Sequence, residues 1–258
     1  MEYWQQLIVV CSLVFFAGFV DSIAGGGGII SLPAYLIAGL PPTAARGSNK
    51  LSSTIGLFVV SLRFMRRGKV HLKAALVASV LALAGSSIGA WLGIIMDRFD
   101  ERFFSYILMG SLPLLAAFIL LNKNVGKETQ SRELKGPRTY LLSALAGLVI
   151  GAYDGFFGPG AGTFLIIVFS AVVGFDVLTA SGTAKVVNFA SNISALFTFA
   201  LNGSVVVALA APAAVFAVLG NILGSRLAFK NGARLIRPAF IFVLILLLVR
   251  IAHDTFLS

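Results

Sequence analysis

The sequence predicts an all-α, polytopic membrane protein made of two homologous repeats, each containing a glycine-broken helix pair. Three observations support this prediction. The hydrophobic fraction is 58% and the charged fraction is 12%, which is about half the charged fraction of a soluble domain. Apolar runs such as 74–96 and 205–223 reach the roughly 20 residues that a helix needs to cross a bilayer. A pattern of one Asp, clustered glycines and one Lys also occurs twice.

Each half of the sequence divides into five apolar segments. They cover 5–23, 29–40, 51–65, 72–95 and 102–121 in the first half, and 139–157, 161–174, 186–200, 204–229 and 234–252 in the second. We therefore assign residues 1–121 to a first transmembrane repeat, 122–138 to a polar cytoplasmic linker and 139–258 to a second transmembrane repeat. Segment 29–40 is predicted to be a partial span, because twelve helical residues cover only about 18 Å of a ~30 Å core.

The duplicated pattern keeps its register through most of each half. The first copy reads G-F-V-D-S-I-A-G-G-G-G over 18–28 and G-S-N-K over 47–50. The second reads G-A-Y-D-G-F-F-G-P-G-A-G over 151–162 and G-T-A-K over 182–185. A G-x-x-x-G pair then follows in both halves, a spacing that lets helices approach closely. Several matches in register make duplication the economical explanation.

The loop charges indicate how the halves are oriented. Fourteen of the 20 Lys and Arg lie in three stretches, 63–73, 122–138 and 226–237. The stretch that matches 63–73 in the other half, around 199–208, contains none. Since basic loops mark the cytoplasmic side, matching loops are expected on opposite sides, which predicts an inverted repeat. The short segment 29–40 leaves a parallel four-plus-four arrangement as the alternative to inverted five-plus-five segments.

Composition also excludes several classes of function. The net charge of +10 does not indicate a nucleic-acid partner, because the basic residues cluster beside predicted spans. A single cysteine, Cys11, excludes an internal disulfide and any CxxC metal or redox site. The two histidines, His71 and His253, are far apart in the sequence. We therefore predict no metal, no cofactor and no catalytic residues, and we expect that the protein is not an enzyme.

The glycine clusters are the predicted binding elements. The run 25–28 and the turn 158–160 interrupt helices, because Gly costs about 1 kcal/mol relative to Ala and Pro suits the first turn of a new helix. Broken backbone at membrane depth is tolerated where protein buries it or where it lines a cavity. Its N–H groups and the positive end of the next helix form an anion site. The alternative is that the glycines only permit close packing of helices.

Four charged residues, Asp21, Lys50, Asp154 and Lys185, accompany the glycines. Each would cost about 2.5–3.5 kcal/mol or more at the centre of a lone spanning helix, so we expect them to face a cavity or to form pairs. We predict that the lysines hold an anion and that the aspartates cap helices or carry a coupling proton. A structural Asp–Lys ion pair in each repeat is the alternative. The predicted substrate-binding residues are Gly25, Gly26, Gly27, Gly28, Ser48, Asn49, Lys50, Gly158, Gly160, Gly162, Thr163, Thr183, Lys185, Asn188 and Asn192.

At these motifs the chain resembles the TauE/SafE group of sulfite-exporter-like membrane permeases, in its YfcA-like branch. The resemblance covers essentially the whole chain and rests on G-F-V-D-S-I-A-G-G-G-G, G-L-P-P-T-A-A-R-G-S-N-K, Y-D-G-F-F-G-P-G-A-G-T-F and A-K-V-V-N-F-A-S-N. It implies a multi-pass carrier of the bacterial inner membrane for small sulfur-containing anions such as sulfite or organosulfonates. The copies differ, since Ala184 stands where Asn49 does and Ala161 where Gly28 does. This difference suits one asymmetric anion bound between the halves.

Together these features favour a secondary transporter of small anions that works by alternating access between the repeats. The chain carries no P-loop motif, so we expect the membrane potential or a coupling proton or cation to drive transport. The predicted partners are a small anionic substrate and the lipid bilayer, and the sequence makes no prediction of oligomeric state. The alternatives are an anion channel and a structural or assembly protein whose Asp–Lys pairs only stabilise the fold.

Overall fold

The computed structural model describes residues 1–99 and 136–231, and its regular secondary structure in these ranges is helical. The predicted segments 102–121 and 234–252 and most of the predicted linker 122–138 lie outside the described residues. The helices are α1 (Tyr3–Ala24), α2 (Gly28–Ile37), α3 (Pro42–Arg66), α4 (Leu72–Phe99), α5 (Pro137–Phe156), α6 (Ala161–Ile167), α7 (Val177–Leu201) and α8 (Val207–Asn231), with a π-helical turn (Val168–Val172) after α6. The prediction of an all-α protein is confirmed.

Five of the described helices, α1, α4, α5, α7 and α8, are long and apolar enough to cross a membrane. Their outer faces carry large apolar side chains that nothing in the described protein covers, as expected where the surroundings are lipid. Examples are Ile8, Phe16, Leu76, Val80, Leu141, Val149, Phe197 and Val215. The protein is therefore a multi-pass membrane protein, and the short helices α2 and α6 accompany the full spans.

Helices α3 and α7 begin well before the apolar segments 51–65 and 186–200 that the sequence indicated. Hydropathy misses their first turns because these turns contain polar and charged residues. The structure buries such residues inside the protein, and Lys50 is 3% exposed and Lys185 only 1%. As a consequence, the two lysine motifs lie within helices and not in loops that precede them.

The matching helices α3 and α7 run in opposite directions. Gly47, near the start of α3, packs against Phe199 near the end of α7. Gly182, near the start of α7, packs against Phe64 near the end of α3. Helix α8 follows the direction of α3, since Ser48 meets Val206 at one end and the rings of Phe64 and Phe229 meet at the other.

The first helix of each half packs against the last described helix of the other half. Helix α1 lies parallel to α8, with Tyr3 bonded to the carbonyl of Ala208 and Phe19 beside Gly224. Helix α5 lies parallel to α4, with Gly147 beside Ala78 and Gly155 beside Ser86. The G-x-x-x-G pairs, 85–89 and 220–224, face backbone atoms of the partner helix in both cases. Small residues thus let the halves interdigitate.

One buried ion pair fastens α3 to α4. Arg46 is 3% exposed; it pairs with Asp97 and donates through Nη1 to the carbonyl of Phe156, 2.8 Å away. Thr43 donates to the same carboxylate. The structure thus places Arg46 at an interface of three helices.

Asp97→Leu is expected to destabilise the protein by about 3–5 kcal/mol, because the change leaves the buried guanidinium without its carboxylate. Unfolding of the purified protein in detergent measures the loss. Arg98→Ala is the control, since Arg98 is exposed and donates to Asn202, a contact worth about 1 kcal/mol or less. Equal losses in both variants would contradict a structural role for the Arg46–Asp97 pair.

Candidate functional site

The two glycine breaks meet backbone to backbone. Gly25 ends α1 with φ of 77°, a left-handed conformation that favours glycine. A Cβ atom on Gly25 would lie 2.5 Å from the carbonyl carbon of Gly162, and one on Gly162 would lie 2.5 Å from the oxygen of Gly25. Thr163 Oγ1 donates to the carbonyl of Ala24 at 2.9 Å, which satisfies one of the free carbonyls at the end of α1. Side chains at these glycines would force the breaks apart.

Helix α2 folds back along α1 and therefore begins inside the protein. Near its start, the N–H of Gly27 donates to Asp21 Oδ1 at 3.2 Å, and at its end the carbonyl of Ala38 accepts from Gln6 at 2.8 Å. Gly28 lies beside Pro159 of the other break, where a Cβ atom would be 3.2 Å from the proline Cα. The positive end of α2 and the glycine turn before α6 thus lie side by side.

Two ion pairs cross between the halves. Lys50 Nζ lies 2.8 Å from Asp154 Oδ2, and Lys185 Nζ lies 3.2 Å from Asp21 Oδ2. The hypothesis of an ion pair within each repeat is therefore wrong in its partners. The halves interdigitate, with α1 packed mainly on α8 and α5 mainly on α4, and the two ion pairs join one half to the other.

The carboxylate of Asp154 is held by three side chains. Besides Lys50, Ser191 Oγ donates to its Oδ2 at 2.6 Å and Asn192 Nδ2 does so at 3.0 Å. Its side chain is only 4% exposed. Such a set of donors satisfies a buried charge, which would otherwise be costly.

A small cavity of about 40 Å³ lies between the halves, a volume that holds a few water molecules. The predicted site residues that line it are Asp21, Gly25, Gly27, Gly28, Asn49, Lys50, Asp154, Gly158, Gly160, Gly162, Asn188 and Asn192. The cavity thus combines backbone glycines, one lysine, two carboxylates and four side-chain amides, since Asn221 also lines it. Donors of hydrogen bonds face it from α2, α3 and α7.

Five predicted site residues, Gly26, Ser48, Thr163, Thr183 and Lys185, are not among the lining residues. Ser48 Oγ accepts the N–H of Val206 at 2.9 Å, and Thr183 Oγ1 accepts the N–H of His71 at 3.0 Å. Each hydroxyl thereby binds a backbone N–H at the start of a helix in the other half, where such groups lack intrahelical partners. The assignment of these two hydroxyls to the substrate stays a prediction.

Sequence reasoning missed several polar residues of the cavity and its surroundings, namely Ser31, Ser53, Ser191 and Asn221. Asn221 is 3% exposed and lines the cavity. Its Nδ2 donates to the carbonyl of Ala217 at 2.9 Å, and its Oδ1 has no hydrogen-bond partner among the described residues. The sequence signal that could have identified Asn221 is a single amide inside an apolar spanning segment, because placing a polar side chain in the lipid interior costs free energy.

Comparison with known proteins identifies the family. Residues 10–251 match the family model of the sulfite exporter TauE/SafE. The chain is 38% identical to a probable membrane transporter protein, ORF9, of a Sinorhizobium species, over 93% of this chain and 90% of that one. It is 34% identical to the probable membrane transporter protein YfcA of Escherichia coli K12, over 99% and 96%, and 31% identical to a probable membrane transporter protein of Haemophilus influenzae, over 96% and 95%.

No solved structure matches this chain. The relatives are bacterial proteins named as probable membrane transporters, and five described helices can span a membrane. The chain is therefore a multi-pass membrane transporter of the bacterial inner membrane, and it belongs to the sulfite exporter TauE/SafE family.

Proposed function

We propose that this protein is a secondary transporter of small anions of the sulfite or organosulfonate type, with its site between two inverted repeats. One observation carries the proposal: the start of α2, the second glycine break, Lys50 and four amides converge on one cavity where the halves meet. The printed name of the family, sulfite exporter, supports a sulfur oxyanion as the cargo. The opposite directions of α3 and α7 support the inverted arrangement.

The cavity suits an anion with several acceptor oxygens. Asn49, Asn188 and Asn192 line it. The amides of Asn49 and Asn188 can donate to a sulfite or sulfonate oxygen, whereas the NH₂ group of Asn192 donates to Asp154 and to the Asn188 carbonyl. Asn49 accepts from Ser53 through Oδ1 at 3.4 Å, which leaves its NH₂ group to donate. Hydrogen bonds from N–H groups to an ionised oxygen are about twice as strong as neutral ones. Lys50 adds positive charge, although Asp154 shares it.

The two crossed ion pairs suit alternating access. Lys50 lies near the start of α3 and Lys185 near the start of α7, and these helices run in opposite directions. The pairs therefore lie on opposite sides of the middle of the protein along the membrane normal. Opening one pair while the other stays closed would expose the cavity to one side of the membrane at a time.

The driving force follows from electrostatics. An inside-negative membrane potential favours the exit of anions by about 2.3 kcal/mol per charge per 100 mV. Export of a free anion needs no coupling ion, whereas accumulation of an anion needs a proton or cation to accompany it.

Counterflow in proteoliposomes tests the proposal. Vesicles that contain the purified protein and unlabelled sulfite are expected to take up external ³⁵S-sulfite transiently above its equilibrium level, and vesicles preloaded with acetate are not. Thiosulfate and methanesulfonate define the selectivity. Flux that follows the membrane potential without counterflow would favour the channel, and the absence of any flux would favour the structural protein.

Asn49→Ala is expected to weaken the apparent affinity for the transported anion about 10- to 100-fold, because a hydrogen bond to a charged group contributes about 1.5–3 kcal/mol. The change also makes the first copy resemble the second, which has Ala184 at this place. Asn202→Ala, at the exposed end of α7, is the control and leaves the affinity unchanged. An unchanged affinity in Asn49→Ala removes this amide from the binding site.

A further inference from the structure

The two carboxylates of the crossed pairs are held unequally. Asp154 accepts from Lys50, Ser191 and Asn192. Asp21 accepts from Lys185 at 3.2 Å and from the backbone N–H of Gly27 at 3.2 Å. The Asp21 side chain is 14% exposed, against 4% for Asp154. Asp21 is therefore the carboxylate with fewer donors and more contact with the cavity.

The sequence accounts for this difference in the number of donors between the two carboxylates. At the spacing that relates Lys50 to Lys185, the counterparts of Ser191 and Asn192 are Gly56 and Leu57. Glycine has no side chain and leucine has no donor, so the first half lacks the groups that hold the carboxylate in the second. Leu57 is 3% exposed and lines the cavity.

The amide of Asn221 does not replace the missing donors. Its Nδ2 lies over Gly56, where a Cβ atom would be 2.7 Å away, and it donates to the carbonyl of Ala217. One N–H of this amide is thus used within α8, and among the described residues the side chain makes no hydrogen bond to Asp21.

Few charged groups lie near Asp21 in the described part of the chain. Lys185 of α7 contacts it directly. Lys50 of α3 and Asp154 of α5 line the same cavity and hold one another. The turn before α2 contributes the N–H of Gly27. Helix α6 contains no acidic or basic side chain. Helix α8 contributes the neutral Asn221 to the cavity lining, and its Arg226 is exposed nearer the end of the helix.

On the basis of the proposed function, we infer that Asp21 is the proton-coupling site and that a proton on Asp21 exchanges for its bonds to Lys185 and Gly27. When the carboxylate accepts a proton, it becomes neutral, and the Lys185 ammonium and the Gly27 N–H lose their charged acceptor. The pair then carries one positive charge. Lys185 does not line the cavity and also donates to the Asp21 carbonyl, so it stays in place and supplies the positive charge. A monovalent anion that binds the Gly27 N–H from the cavity restores neutrality, so that one proton and one anion move together.

Asp154 takes no part in this exchange. Its carboxylate is held by Lys50, Ser191 and Asn192. The Asp21 carboxylate of the first half therefore gains and loses the proton, and the Asp154 carboxylate of the second half stays paired with Lys50. The coupling predicts electroneutral transport of a monovalent anion, driven by a pH difference and insensitive to the membrane potential.

Proteoliposomes with pyranine inside test the coupling. Methanesulfonate is the probe, because it stays ionised across the accessible pH range and its own protonation cannot carry protons. In the wild type, an inward methanesulfonate gradient is expected to acidify the lumen, and an inside-alkaline difference of one pH unit is expected to accumulate the anion about tenfold. A potential set with potassium and valinomycin leaves the initial rate unchanged.

Two variants address Asp21. Asp21→Asn is expected to lose both the lumen acidification and the uphill accumulation, each normalised to counterflow in the same vesicles. Leu57→Asn installs in the first half the donor that Asn192 provides in the second, and we expect it to move the pH of half-maximal transport to lower values by stabilising ionised Asp21. Leu57→Met, a neutral side chain of similar volume, leaves that pH unchanged.

The outcomes separate the coupling from transport itself. Three results would overturn the coupling and leave transport standing. They are proton-linked accumulation that persists in Asp21→Asn, methanesulfonate movement without protons in the wild type, and an unchanged pH profile in Leu57→Asn. Absence of counterflow for sulfite and methanesulfonate in the wild type contradicts the proposed function and the coupling with it.

Discussion

Lys50→Met is expected to abolish counterflow and to destabilise the protein by about 3–5 kcal/mol. Lys50 is 3% exposed, and its removal leaves the buried carboxylate of Asp154 without its cation. Ser191 and Asn192 still donate to this carboxylate, but neither neutralises it. Unfolding in detergent measures the stability and ³⁵S-sulfite counterflow measures the function.

A double variant separates the two roles of the pair. Replacing both members by apolar residues, in Lys50→Met with Asp154→Leu, removes the unpaired charge, and such replacements are often neutral or stabilising by 1–4 kcal/mol. We therefore expect the double variant to recover most of the stability that Lys50→Met loses and to remain inactive. Recovery of both stability and counterflow would show that the pair serves only the fold.

Gly25→Ala is expected to prevent normal assembly of the two breaks and to abolish counterflow. The left-handed conformation, φ of 77°, costs alanine about 1–2 kcal/mol. The added Cβ would also lie 2.5 Å from the carbonyl carbon of Gly162 and 2.7 Å from the N of Thr163. Backbone atoms cannot turn aside as a flexible side chain does, and overpacking adds about 1–3 kcal/mol.

Gly39→Ala is the matched control. Gly39 has φ of 88°, and nothing lies within 4 Å of an added Cβ. This variant has the same conformational strain without the contact, so it is expected to lose only the smaller part of the stability and to retain counterflow. Equal losses in Gly25→Ala and Gly39→Ala would show that the meeting of the two breaks contributes nothing.

The membrane character, the helical class and the family were readable from the sequence because each depends on local composition or on contiguous motifs. An apolar run identifies a span without reference to its neighbours. Helices α1, α4, α5 and α8 end within a few residues of the predicted segments. Helices α3 and α7 were predicted too short, since a buried Lys or Arg lowers hydropathy although its partner makes the burial tolerable.

The sequence did not determine which lysine pairs with which aspartate. Asp21 and Lys50 stand in one half and Asp154 and Lys185 in the other, and proximity in the chain favoured pairs within each half. The structure pairs Lys50 with Asp154 and Lys185 with Asp21, because partners are chosen by the packing of α1 on α8 and of α5 on α4. Ser48 and Thr183 were assigned to the substrate because they stand beside the lysines in the chain, and the structure shows that each hydroxyl accepts a backbone N–H of the other half.

The sequence by itself determined that this protein has two glycine-broken, charge-bearing segments in a membrane, because isolated glycines and charges there are costly wherever the chain folds. The sequence also contained the difference between the halves, since Gly56 and Leu57 stand at the positions that correspond to Ser191 and Asn192 in the second half. Only the tertiary structure decided that the breaks meet, that the ion pairs cross and that Asp21 is the carboxylate held by fewer donors. The physical reason is that burial and hydrogen bonding depend on contacts between distant parts of the chain, and close packing of small residues brings those parts together.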